Sequence, residues 1–187
     1  MHRNSSILVA AAFALSVAGG CGGSNPPAAP GTAEPQNAPG ARALLKNAKG
    51  ETIGSATFTQ ASGGVTIEVH ANGLPPGQHG IHIHDAGRCD PPDFKSSGPH
   101  FNPGGKQHGS MNPMGKHAGD LGNLTVAESG HGMLTVTSAD YTLGDGANSL
   151  FHTGGTSIMI HADPDDNKTD PSGNSGARIA CGVIAKE

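Results

Sequence analysis

The sequence predicts an all-β domain, an antiparallel sandwich or barrel of eight short strands carrying two long functional loops. Three observations point there. Gly and Pro are abundant, 30 and 14 of 187 residues, and they would weaken or break the helices of a bundle. Apolar and polar residues alternate over short runs, the period of a half-buried strand. Two stretches without alternation are too long for plain connectors and hold evenly placed ligand-type side chains.

Along the chain, residues 1–20 read as a secretory signal. Arg3 supplies a positive charge, Ile7 to Val17 is apolar, and Ala18, Gly19 and Gly20 precede Cys21. The apolar run is too short to span a bilayer comfortably. Small residues before a Cys suggest lipidation of Cys21 on a bacterial membrane; the alternative is plain secretion to the periplasm or cell surface. Residues 21–40, rich in Pro, Ala and Gly, read as a disordered tether. Removing residues 1–20 takes away Arg3 and no acidic residue, so the formal charge moves from −4 to −5. That balance excludes a basic nucleic-acid surface as the main business.

Residues 41–187 form the domain. Strands are expected at Ala41 to Lys46, Thr52 to Gln60, Val65 to Ala71, Gly80 to Asp85, Asn123 to Ala127, Met133 to Ser138, Thr156 to Ala162 and Arg178 to Ala185. In Val65 to Ala71, Val65, Ile67 and Val69 point one way and Thr66, Glu68 and His70 the other. The two long loops are Ala86 to Leu121 and the acidic, turn-rich Asp163 to Gly176. If Cys21 carries lipid, Cys89 and Cys181 remain as a pair. Export favours a disulfide between them over two reduced, buried thiols.

Eleven histidines in so short a chain is the extreme number. His82 and His84 in GIHIHD lie two apart on a strand, so both imidazoles project from one face, half of a square-planar site suited to copper. Alone, such a pair is as well read as two surface histidines. Downstream, however, come GPHFNP with His100, KQHG with His108, and KHAGDLGN with His117 and Asp120. Three His and an Asp make a full donor set for tetrahedral zinc. His161 in IMIHAD adds an imidazole from another strand.

With these motifs, and with IHADPDD and GARIACGV, residues 41–187 resemble the copper/zinc superoxide dismutases. The spacings of eight, nine and three from His100 through His108 and His117 to Asp120 match as well. The resemblance implies an eight-stranded Greek-key, immunoglobulin-like barrel. It implies copper on His82, His84, His100 and His161, and zinc on His100, His108, His117 and Asp120, one of each metal per subunit. His100 would bridge the two as an imidazolate. Arg178 would be the guanidinium beside copper, Asp165 the carboxylate linking histidines of the two metals, and Cys89–Cys181 the intrasubunit disulfide. A homodimer is compatible with the family.

The implied activity is dismutation of superoxide to O2 and H2O2, as antioxidant defence outside the cytoplasm. One superoxide would be oxidised and the next reduced, with His100 leaving copper, taking a proton and later delivering it. Arg178 would attract and orient the anion. In the acidic loop Pro171 stands where familiar members carry a lysine, so Lys106 and Lys116 are considered as substitutes for steering. His70, His79, His131 and His152 read as solvated rather than ligating, and Met111 and Met114 as gap fillers. Competing readings are a catalytically inert, dismutase-like copper-binding protein and a zinc hydrolase. The first would usually lack a ligand or the arginine; the second needs an open position on zinc.

Overall fold

The computed structural model describes residues 40–187. The expected signal segment, Cys21 and all of the tether except Gly40 lie outside the described residues. Nine strands occur among those described: β1 (Gly40–Asn47), β2 (Thr52–Ala61), β3 (Gly64–Ala71), β4 (Gly77–His84), β5 (Asp120–Val126), β6 (Gly132–Ser138), β7 (Ser157–His161), β8 (Arg178–Val183) and β9 (Ala185–Lys186). Neighbours run antiparallel in the order β2-β3-β6-β5-β4-β7-β8-β1, and pairing of β1 with β2 closes the barrel. The crossings from β3 to β4 and from β6 to β7 make this a Greek key.

The eight expected runs are all found, with ends shifted by up to three residues. The last run divides: β8 and β9 both lie along β1, with buried Ile184 between them donating its N–H to Thr156 O at 3.0 Å.

Period-two alternation builds the wall. Val65, Ile67 and Val69 on β3 are wholly buried, as are Ala41 and Leu45 on β1, and they meet Phe58, Leu124, Leu150 and Ile160 in one core. Each large aliphatic side chain so buried contributes about 1.5–3 kcal/mol. Strand β4 departs from the pattern, because every residue from His79 to His84 is buried. Ile81 and Ile83 enter the core, while His82 and His84 project from the opposite face beneath the loops.

The ladder is irregular next to these histidines. The β4–β5 register shifts between Gly80 and His82, and the β7–β8 register shifts between Ile160 and His161. Such bulges re-aim side chains and gather beside functional sites.

The first long loop is tied to β8. A disulfide joins Cys89 to Cys181, with Cα atoms 5.6 Å apart, and packs with Phe94 and Met159 in a small second cluster. Closing a loop of that span is worth about 4–5 kcal/mol in the chain-entropy model.

Candidate metal centre

His82 and His84 from β4, His161 from the end of β7, and His100 from the first loop converge, each buried and offering a ligand atom within 4.8 Å of the others. Their outer nitrogens are spoken for. His82 Nε2–H donates to Asp165 Oδ2 at 2.8 Å, His84 Nδ1–H to Gly98 O at 2.9 Å, and His161 Nδ1–H to Gly176 O at 3.2 Å. His100 Nδ1 lies 2.9 Å from Asp120 Oδ1.

The inner nitrogens, His82 Nδ1, His84 Nε2, His100 Nε2 and His161 Nε2, are buried without a hydrogen-bond partner. An orphaned buried polar atom costs about 1–3 kcal/mol, so four in one place would burden a small domain heavily. An ion bonded to all four removes that cost. Burial also pushes these imidazoles toward the neutral, ligating form. It lowers His82, holds His84 well below the ordinary value, and brings His100 down to about 4 and His161 to about 3.

A second group adjoins the first through His100. Asp120 Oδ1 is 2.9 Å from His100 Nδ1, 3.0 Å from His108 Nδ1 and 3.3 Å from His117 Nδ1. Tetrahedral zinc, with bonds near 2.0–2.1 Å, holds its ligands roughly 3.3 Å apart, close to these three separations and to the 3.3 Å between His117 Nδ1 and His100 Nδ1. His82, and not His117, comes within 4.8 Å of His100, His108 and Asp120 all together, but the nitrogens of His82 serve Asp165 and the first group. The other oxygen of Asp120 accepts the N–H groups of Gly109 and His117 at 2.9 and 3.0 Å, which fixes the carboxylate. Burial opposes its ionisation, yet the hydrogen bonds of His100, His108 and His117 hold it far below the usual carboxylate range.

Asp165 connects the two groups: its Oδ2 meets His82 and its Oδ1 lies 3.0 Å from His108 Nε2. Burial draws His108 down, but the carboxylates of Asp120 and Asp165 outweigh it and hold the imidazole up at about 9. Asn123 on β5 clamps Asp165 from behind, donating to its carbonyl at 2.9 Å and accepting its N–H at 2.7 Å. Gly173, at φ +62°, leaves no room for a Cβ, which would strike Asp165 Oδ1. The sequence reading missed Asn123, although it closes the HAGDLGN motif.

The first group opens to solvent through a cleft of about 460 Å³, lined by His84, His100, His117, His161, Pro171 and Arg178. Arg178 is half-buried and fixed: Nη1 donates to Phe94 O and Ser97 Oγ, both at 2.9 Å, and Nη2 to Gly98 O at 2.8 Å. These acceptors belong to the disulfide-bearing loop, another link that the sequence reading missed.

Several expectations fail. No lysine lines this cleft among the described residues; Lys106 and Lys116 border a neighbouring hollow, and Lys116 Nζ is bound to Asp140 at 2.6 Å. His79 is buried rather than solvated, wedged 2.8 Å from both Pro75 O and His161 O. β4 begins three residues earlier than expected and carries His79 inward. His152 is half-buried, stacked on Phe101 with ring centroids 5.5 Å apart. Met111 and Met114 fill no gap; they are 70% and 67% exposed.

Comparison with known proteins agrees with this geometry. The family model described as copper/zinc superoxide dismutase matches residues 52–184. A copper-zinc superoxide dismutase of Aquifex aeolicus is 51% identical over 142 residues, 75% of this chain and 84% of its own. The superoxide dismutase-like protein YojM of Bacillus subtilis is 40% identical over 98% of this chain and 96% of its own. A crystal structure of a SOD-like protein from Bacillus subtilis superposes with a TM-score of 0.74 at 41% identity, covering 76% of this chain and 96% of that one. With a family model over most of the domain and relatives at this identity, the chain belongs to the copper/zinc superoxide dismutase family, whose members bind copper and zinc.

Proposed function

We propose that the two imidazole groups are the copper and zinc sites of a superoxide dismutase that works outside the cytoplasm. His82 Nδ1, His84 Nε2, His100 Nε2 and His161 Nε2 hold copper; the Nδ1 atoms of His100, His108 and His117 with Asp120 hold zinc. The observation that carries this is the set of four buried, partnerless nitrogens meeting at the foot of a cleft that holds a pinned arginine. Bound copper supplies the reversible one-electron step that converts two superoxide anions and two protons into O2 and H2O2, while zinc has no accessible redox change.

The chain's own residues position and protonate. Arg178 carries a permanent charge at the cleft wall, and that charge is left uncompensated, since its three hydrogen bonds go to neutral oxygens and none to a carboxylate. That charge draws in the anion although the net charge is negative, since a cleft focuses its own local field. His100 carries the proton. Nε2 faces the copper group and the cleft and takes or releases H+, while Nδ1 stays on the side of the zinc group, beside Asp120, His108 and His117. Asp165 keeps His82 in the Nε2–H tautomer, which leaves Nδ1 free to ligate.

Export and lipid attachment at Cys21 rest on the N-terminal sequence, and the Cys89–Cys181 disulfide is consistent with an oxidising compartment. The test of the reading is His161→Ala. Dismutation should fall at least a hundredfold with zinc still bound stoichiometrically, because only a copper ligand is lost; undiminished activity would overturn the copper assignment. A metal-binding relative without turnover would show bound copper in the unaltered protein and no acceleration of superoxide decay.

A further inference from the structure

On the barrel wall away from both metal groups, a second set of metal-type donors stands on one face. His70 on β3 is exposed and lies directly opposite Met133 on β6, and cross-strand partners share a face. His131 lies just before β6, and its closeness to His70 puts its ring on that side too. The rings of His70 and His131 are 6.3 Å apart between centroids. Inside the buried centre, His82 and His84 stand 6.4 Å apart and His100 and His161 6.3 Å, so the spacing is one at which two imidazoles share an ion in the reading above.

Two further features separate this from a chance surface pair. His131 Nδ1–H donates to Asn72 Oδ1 at 2.9 Å, which fixes the tautomer and leaves Nε2 as a lone pair. A hydrogen bond on the far nitrogen is how ligating histidines are oriented. Next, the face is otherwise polar, with Thr66, Glu68, Thr135 and Thr137 as its outward residues, yet Met133 stands on it 57% exposed. A thioether left in water gains nothing from burial. Beside two imidazoles it is a soft third donor.

The geometry points to a surface copper(I) site formed by His70, His131 and Met133, with Asn72 as the residue that orients His131. Thioether sulfur favours Cu(I) over harder ions, and imidazole accepts it. This site is separate from the buried centre; its spacing comparison alone rests on the copper reading of that centre, while the donor set on the barrel wall does not.

The test uses the full chain with its buried centre already loaded and its copper and zinc counted. Cu(I) buffered by bathocuproine disulfonate is titrated in under anaerobic, reducing conditions, and the loss of probe colour is read. One further equivalent is expected. Met133→Leu and His131→Ala should abolish it, and Asn72→Ala should weaken it about 10–100-fold. Dismutase activity and the metal content of the centre should stay unchanged in all three, which shows the barrel intact. No further equivalent, or an equivalent held equally well by Met133→Leu and His131→Ala, overturns the site.

Discussion

Strand β3 and the segment 162–177 illustrate two ways of holding a chain in place. β3 buries Val65, Ile67 and Val69 completely and is paired by β2 on one side and β6 on the other along its whole length. The segment 162–177 buries no large apolar side chain; its buried side chains are those of Asp165 and Ser175. It is held by polar contacts: Asn123 on the backbone of Asp165, Asp165 on His82 and His108, and Asp166 on Thr169 and Asn174. The wall supports itself by burial. The loop is ordered by the same side chains that, on the proposed reading, surround the metals, so that reading puts stability and activity in different parts of one domain.

The sharpest way to separate the two parts is to remove both metals with a chelator and follow amide exchange. Amides in 106–120 and 162–177 should lose protection by about a thousandfold or more, as expected when a tightly bound ligand is withdrawn. Those of β3 and β6 should change far less. Equal loss in both regions would mean the barrel, too, is built on metal.

Next in size is the disulfide, which belongs to both parts. Cys89→Ser should cost about 4–5 kcal/mol in denaturant unfolding. It should also lower kcat/KM, because Phe94 O and Gly98 O, which fix Arg178, lie on the loop that it anchors. Loss of stability alone would show that Arg178 is held without the disulfide.

A cut in the wall should do the reverse. Ile67→Ala leaves a cavity worth about 2–5 kcal/mol. Copper and zinc content and the rate per folded molecule should be unaltered, and a lower rate per folded molecule would couple the wall to the site. Smallest is Lys116→Ala. Its partly exposed pair with Asp140 is worth at most about 1 kcal/mol. Superoxide decay and its salt dependence should stay the same, since Lys116 does not line the cleft; a slower, less salt-sensitive reaction would restore it as a steering residue.

The wall was readable in the sequence because alternation is a local property, and the strand from Val65 to Ala71 shows it without help from elsewhere. The clustering of the candidate donors was readable for another reason: His82 and His84 share a face by strand geometry, and His100, His108, His117 and Asp120 lie close in sequence. Polar links across the fold were not readable. Asn123 meets Asp165 from 42 positions away, and the carbonyls that fix Arg178 lie 80 or more positions upstream. His79 was misread because its burial depends on where β4 begins and on the carbonyls of Pro75 and His161 that close on its ring. Met111 and Met114 were misread as filler because composition says nothing about which face of a loop meets water.

On the proposed reading, dismutation depends on copper held by the four inward-facing nitrogens. The decisive experiment is stopped-flow superoxide decay with the full chain, metal-free, then loaded with zinc alone, then with zinc and copper. Decay should accelerate toward the diffusional regime only in the last case. No acceleration with copper stoichiometrically bound, or equal acceleration with zinc alone, would contradict it.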